Sequence, residues 1–364
     1  MRKARNQKPE TKKKKIENRI PKPERHALSG FGFLISAFFL VSGFWFLVFS
    51  AGCRRTGESA APTLTLYTAV DEPVARPIIQ DFETRTGIHV RLVPDTEASK
   101  TAGLADRLAA ERSNPHADVW WSNEPFHTIN LAEGGVLAEY ASSSAAQIPD
   151  TYKDPKNRWA GTALRIRVIA VAPNAAGKVI EIADLARPEF RGNIGMAKPA
   201  IGTVGGHVAA LYVLWGDAKA DAFFQSLKDN ELALVGGNSV VADTVGRGQF
   251  LAGLTDNDDC DNAQREGGRL EMVIPDQALG GIGTLAIPCT AGLVAGAKNP
   301  EAAKKLIDYL LSREVEQKLQ GAHFSRYSVF DPKPEVRFMK VDYREAARAM
   351  PHAIERAGKI LEGR

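Results

Sequence analysis

Between Thr63 and Val93 the chain reads "TLTLYTAVDEPVARPIIQDFETRTGIHVRLV". Its first eight residues, rich in Thr, Leu, Tyr and Val, predict a strand. From Val74 the apolar residues recur at helical spacing. Pro73 stands just before that segment and Gly87 just past its end, which predicts a helix. "IHVRLV" predicts a second strand. Strand, helix and strand in succession form a βαβ unit, and that unit implies a parallel sheet covered by helices on both faces.

The same alternation continues downstream. "TAGLADRLAAERS" predicts a helix, "ADVWW" a short buried strand and "FHTINLAEGG" a helix closed by glycine. After a polar connection, "LRIRVIAVAPN" predicts a strand whose alternation puts Arg165 and Arg167 on one face. A second α/β unit follows. "GTVGGHVAALYVLWG", "AKADAFFQSLKDN" and "SVVADTVGRG" are its helices, and "LALVG" and "FLAGLT" its strands. "LEMVIPD" and "GTLAIPCTAGLVAG" predict strands. "PEAAKKLIDYLLSREVEQKL" predicts one helix, and "DYREAARAMPHAIERAGKILEG" a last amphipathic one, kinked at Pro351.

The composition, 44% apolar and 25% charged over 364 residues, is that of a globular protein with two domains. Its net charge of +4 points to nucleic acid only until it is located. The first 26 residues carry eleven Lys/Arg and three Glu; the rest holds 36 basic and 40 acidic residues. A mildly acidic body removes the electrostatic case for nucleic acid.

"ALSGFGFLISAFFLVSGFWFLVFSAGC" follows the basic start. A basic head, an apolar stretch and small residues before a cysteine predict a secretory signal. Ala51 and Gly52 before Cys53 match a lipobox, with Ser50 where Leu is usual, so Cys53 is the expected lipidation site. The alternative is an uncleaved anchor over Phe31 to Gly52, which is long enough to span a bilayer. Both place the rest of the chain in the periplasm or on the outer face of the cytoplasmic membrane. Residues 1–53 are thus leader and 54–62 a small polar tether. Cys260 and Cys289 could pair there, or stay free; no His spacing around them suggests zinc.

"GLTDNDDCDNA", Gly253 to Ala263, packs Asp256, Asp258, Asp259 and Asp261 into six positions. They fall at the carboxyl end of "FLAGLT", the sheet edge where ligands bind. Turn chemistry explains part of this: Asp259 or Asp261 could cap a helix through "NAQRE". It leaves adjacent Asp258 and Asp259 repelling each other unless a cation is near. An EF-hand is excluded, since Asp261 stands where Gly is needed and Gly267 where Glu is needed. "Asp-Asn-Asp" also matches the short metal-binding DxD of nucleotide-sugar transferases, but no nucleophile or general base is evident beside it. G-x-S-x-G, H-E-x-x-H and P-loop motifs are absent. "Gly281-Ile282-Gly283" opens a strand rather than a helix, against a dinucleotide site. His207, in an apolar helix, is read as a core residue.

"LTLYTAVDEPVARPIIQDFETRTGIHV", "ADVWWSNEPFHTINLAEGGVLAEY", "RWAGTALRIRVIAVAPN" and "GNIGMAKPAIGTVGGHVAALY" together resemble the bacterial extracellular solute-binding proteins of family 1. The nearest branch is that of the periplasmic ferric-ion-binding proteins of ABC importers. The resemblance runs from Thr63 to Arg364. It implies an α/β, type II periplasmic-binding-protein fold: two lobes, a strand hinge and a ligand cleft. Residues 63–165 with 284–335 are the expected lobe 1, and 166–283 with 336–364 the expected lobe 2.

In that branch a His, a Glu and two adjacent Tyr hold the ion. Here Asp71, with Glu72 beside it, matches the His position, four residues after Tyr67. Asn123, followed by Glu124, matches the Glu, and Asp258 and Asp259 match the tyrosines. The implied metal ligands are Asp71, Glu72, Glu124, Asp258 and Asp259. Tyr67, Asn123, Arg165, Thr203, Asn238 and Asp256 would line the cleft or hold a companion anion.

Carboxylates gathered in a poorly solvated cleft cost several kcal/mol unless paired. The expectation is therefore a monomeric, lipid-anchored receptor that delivers a metal cation to an inner-membrane ABC permease. The ion is cargo, not a cofactor, with iron first and manganese or calcium after it; loss of both tyrosines weakens the case for Fe(III). The alternative ligand is a small organic solute such as thiamine, a polyamine or a phosphonate, with Trp120, Trp121 or Phe126 adding cation–π contact. No catalysis is expected. An exported transferase and a purely structural envelope lipoprotein complete the alternatives.

Overall fold

The computed structural model describes residues 62–95, 101–331 and 335–363. The leader, Cys53 and all of the tether except residue 62 lie outside them. No helix among the described residues is long and apolar enough to cross a membrane.

The opening segment folds as β1 (Thr63–Thr68), α1 (Glu72–Thr86) and β2 (His89–Pro94). Pro73 sits inside the first turn of α1, where a missing N–H costs nothing. Gly87 ends the helix at φ 69°, its N–H bonded to the Glu83 carbonyl. Then come α2 (Ala102–Ala110), β3 (Val119–Ser122), α3 (Phe126–Glu133) and the short β4 (Leu137–Ala138). The long β5 (Ala160–Val171) leads into β6 (Ile194–Ala197), α4 (Thr203–Trp215), α5 (Asp217–Asp229) and β7 (Ala233–Val235). These are followed by α6 (Asn238–Gly246), β8 (Ala252–Asp256), α7 (Asn257–Arg265) and β9 (Glu271–Val273). The chain returns through β10 (Ala286–Val294), α8 (Pro300–Leu310), α9 (Arg313–Gly321) and α10 (Tyr343–Glu362).

The strands run in the order β2-β1-β3-β10-β5-β8-β6-β7, with β4 beside β10 and β9 beside β5. β1 is parallel to β2 and β3, and β6 is parallel to β7 and β8. The expected all-parallel sheet therefore holds only within these outer sets. β5 and β10 are antiparallel to each other and to β8 and β3, because they are the strands that cross between the two halves. β5 pairs with β10 as far as Ile166 and with β8 from Arg167 onward. The result is the two-lobed α/β architecture, with the crossing strands between the lobes.

Both halves of the sheet are covered on both faces, so β3 and β5 are buried along their whole length. Burying a Leu, Ile or Phe side chain completely contributes roughly 1.5–3 kcal/mol. Leu64, Leu66, Phe82 and Phe126 each do so. Gly253 is required where β8 lies against β6: a Cβ there would collide with Val241 and stand 2.9 Å from the Gly195 carbonyl oxygen.

Two helix boundaries differ from expectation. The segment from Pro300 is two helices, broken at Ser312, whose hydroxyl accepts from the Val315 N–H and caps α9. The acidic run does not precede a helix but starts one. α7 begins at Asn257 with Asp256 as its N-cap residue, so Asp259 and Asp261 are inside the helix and cap nothing. Acidic residues in a first turn complement the helix dipole, which is why the run folds this way. Cys260 and Cys289 are free, buried thiols.

Candidate functional site

β8 and α7 meet at Asp256, and their junction packs against β5. Asn257 fixes it, its Oδ1 accepting from the Ile166 N–H at 2.8 Å. That bond places the acidic run against the two arginines of β5. Arg165 Nη2 lies 2.6 and 2.8 Å from the two Asp258 oxygens and 3.0 Å from Asp256 Oδ2. Arg167 Nη1 lies 2.7 Å from Asp256 Oδ1. Thr203 Oγ1 and Asn238 Nδ2 donate to Asp256 Oδ2 at 2.6 and 3.0 Å. The Phe324 ring, 4.9 Å away, covers the Arg165 guanidinium.

All four charged groups are almost fully buried. Burial pushes Asp258 up to about 6, with Arg165 pulling the other way and Asp256 adding to the rise. For Asp256 burial also acts upward, but Arg167 and Arg165 outweigh it and hold the carboxyl below its ordinary range. Next to them His207 is buried, and burial together with Arg167 lowers it to about 3, so it is neutral core. The alternation read in β5 is thus realised: both arginines reach Asp256.

Above this layer a cavity of about 680 Å³ opens between α1 on one side and α6 and α7 on the other. Among the described residues its walls include Asp71, Glu72, Asp95, Asp243, Asp259 and Glu266, with Arg265 as the one basic lining residue. Among the described residues no aromatic side chain lines it. Asp71 and Asp259 approach it from opposite walls. One oxygen from each of Asp256, Asp258 and Asp259 also lies within 4.8 Å of the others.

The expected site residues therefore separate. Asp71, Glu72 and Asp259 line the cavity; Glu72 is half-buried and paired with Arg76. Asp258 and Asp256 are held by arginine beneath it. Glu124 does not face the cavity: it accepts from the Phe126 and His127 N–H groups at 2.6 and 3.2 Å and so caps α3. Tyr67 is buried, its hydroxyl donating to Glu111 at 3.0 Å. Asn123 accepts from Thr101 at 2.8 Å and borders, with Arg165, Thr203, Asn238, Asp256 and Asp259, a pocket of only about 10 Å³. Trp120, Trp121 and Phe126 are fully buried and give an organic cation no ring face.

Three lining acids escaped the sequence reading. Asp95 follows β2 directly, at the carboxyl edge of the sheet. Asp259 and Asn262 on α7, and Glu266 just past its end, follow i, i+3, i+7 spacing and line the same wall. That signal becomes visible once the helix is started at Asn257. Asp243, on α6, carries no local signal.

Comparison with known proteins gives a consistent picture. The profile described as bacterial extracellular solute-binding protein matches residues 64–325. A chain from Serratia marcescens named as an Fe(3+)-binding periplasmic protein is 28% identical over 199 residues, covering 54% of this chain and 57% of its own. A Salmonella typhimurium chain named for 2-aminoethylphosphonate binding in the periplasm is 27% identical over 244 residues, covering 65% and 69%. A ferric binding protein from Campylobacter jejuni has the same fold, with a TM-score of 0.72 at 22% identity over 82% of this chain and 99% of that one.

Proposed function

Because the chain belongs to the bacterial extracellular solute-binding proteins, we propose that it is the periplasmic receptor of an ABC importer. It captures a metal cation in the acidic cleft and passes it to a membrane permease. A family of solute binders, rather than of enzymes, leaves no role for turnover. The observation that carries the cation is the cleft wall: among the described residues, six carboxylates and one guanidinium line it, and no aromatic ring does. Oxygen donors without a ring face suit a hard metal ion.

Asp71 and Asp259 are the first ligands in this reading, one from each wall, with Glu72 and Asp95 beside them. Asp258 joins only by leaving Arg165, and Glu124 stays with α3. The names of relatives favour iron as cargo; an all-carboxylate set suits manganese or calcium as well. Lobe boundaries near residue 166, lipid attachment at Cys53 and a monomeric state belong to the same proposal.

The test is a melting-shift panel of Fe(III), Fe(II), Mn(II), Ca(II) and Mg(II) on the parent, Asp71→Asn and Asp259→Asn, with metal analysis of protein purified without chelator. One metal should stabilise the parent and fail on both variants. No shift with any metal, or equal shifts in all three proteins, overturns it. The cavity volume favours a second reading, since about 680 Å³ accommodates a small organic molecule. Putrescine, thiamine and 2-aminoethylphosphonate in the same panel separate the two.

A further inference from the structure

Asp256 behaves oddly for its position. It is the N-cap residue of α7, and aspartate is a favoured N-cap, yet its side chain makes no bond to its own helix. The carboxylate turns instead to four donors from three other elements: Arg165 and Arg167 of β5, Thr203 at the first residue of α4, and Asn238 at the first residue of α6. α4 and α6 have 13 and 9 residues, so two helix N-termini flank the group. Two guanidiniums, a hydroxyl, an amide and two helix starts are what a free oxyanion would require.

The two guanidinium charges are already matched. Arg165 and Arg167 are matched by Asp256 and Asp258, and all four are buried. The space beside them, about 10 Å³, holds no more than about one water. We propose that Asp256 is a resident counter-ion: its carboxylate fills an oxyanion cradle, so the protein takes its solute without a companion anion in that cradle. Removing the carboxylate converts the cradle into a site for formate, acetate or inorganic phosphate. This goes beyond the cation reading, and its test contains no cation, so either can fail alone.

The experiment titrates formate, acetate and phosphate against the full chain, with chloride at matched ionic strength, and reads the melting temperature. The parent should show no saturable shift. Asp256→Ala should melt lower than the parent and be stabilised saturably by formate, with an affinity at least about tenfold above any the parent shows. Asp256→Asn, which keeps the space filled, should gain no such response. Asp256→Ser offers a smaller opening if the alanine variant does not fold. A folded alanine or serine variant indifferent to all three anions overturns the proposal. So does a saturable anion shift in the parent that Thr203→Val abolishes; that arm decides alone if neither opened variant folds, and its absence then supports the resident carboxylate.

Discussion

Arg165 grips Asp258 with both carboxylate oxygens within 2.8 Å of one guanidinium nitrogen, in a site where both side chains are buried. Two residues adjacent in sequence therefore have different tasks. Asp258 neutralises an arginine of β5, whereas its neighbour Asp259 looks into the cleft.

Substitutions should separate those tasks. Asp258→Ala leaves Arg165 half-paired in a buried site and should cost about 3–5 kcal/mol of stability, because an uncompensated buried charge is left behind. Asp259→Asn keeps its shape and its place beside Thr255, 3.2 Å away, and should cost under about 1 kcal/mol. Urea denaturation of the two variants checks this; equal losses would refute the division.

His207 should make the fold acid-sensitive. Its pKa in the folded chain is about 3, below the ordinary value of 6.5, because it is buried beside Arg167. The unfolded chain therefore takes up the proton first as pH falls. Stability from this group is complete above pH 6.5 and is lost on acidification toward pH 3, by about 2 kcal/mol between pH 6.5 and 5. His207→Gln cannot take the proton, so its stability should fall less over that interval. Denaturation curves of parent and variant at pH 7, 6 and 5 measure the difference; parallel pH profiles would exclude the assignment.

Gly206 on α4 lies against the ring of Phe126 on α3, and a Cβ there would collide with it. Alanine gains up to about 1 kcal/mol of helix propensity. Overpacking costs about 1–3 kcal/mol, so Gly206→Ala should be destabilised on balance. Phe126→Leu in the same chain should recover part of the loss. A Gly206→Ala protein as stable as the parent would show that the ring can move aside.

Ser312 caps α9 through the Val315 N–H at 3.3 Å. Ser312→Ala should cost about 1 kcal/mol and Ser312→Asp much less, as acceptor loss predicts. Thermal melts distinguish this from a serine kept only for its small size, for which alanine would be harmless.

The parts of the fold legible in the sequence are those with a local cause. Pro73 and Gly87 delimit α1 because one lacks an N–H and the other tolerates positive φ. The joint at Ser312 was hidden because apolar spacing continues across it, and only the cap shows the break. The helix containing Asp258 and Asp259 was hidden because aspartates read as turn formers until dipole and packing make them a first turn. Glu124 looked like a cleft ligand because the resemblance puts it next to the position of a ligating Glu. Its use as a cap depends on how α3 enters.

By itself the sequence determined the alternation of strands and helices, the one-faced pair Arg165 and Arg167, and the placing of Asp256 to Asp259 at a carboxyl edge. Those follow from side-chain period and backbone chemistry along one segment. Only the tertiary structure decided which carboxylates the arginines of β5 hold and which line the cleft. That depends on crossing strands from distant parts of the chain bringing guanidiniums to within hydrogen-bonding distance. Charge pairing acts through space, so two adjacent aspartates acquire different places that no spacing along the chain encodes.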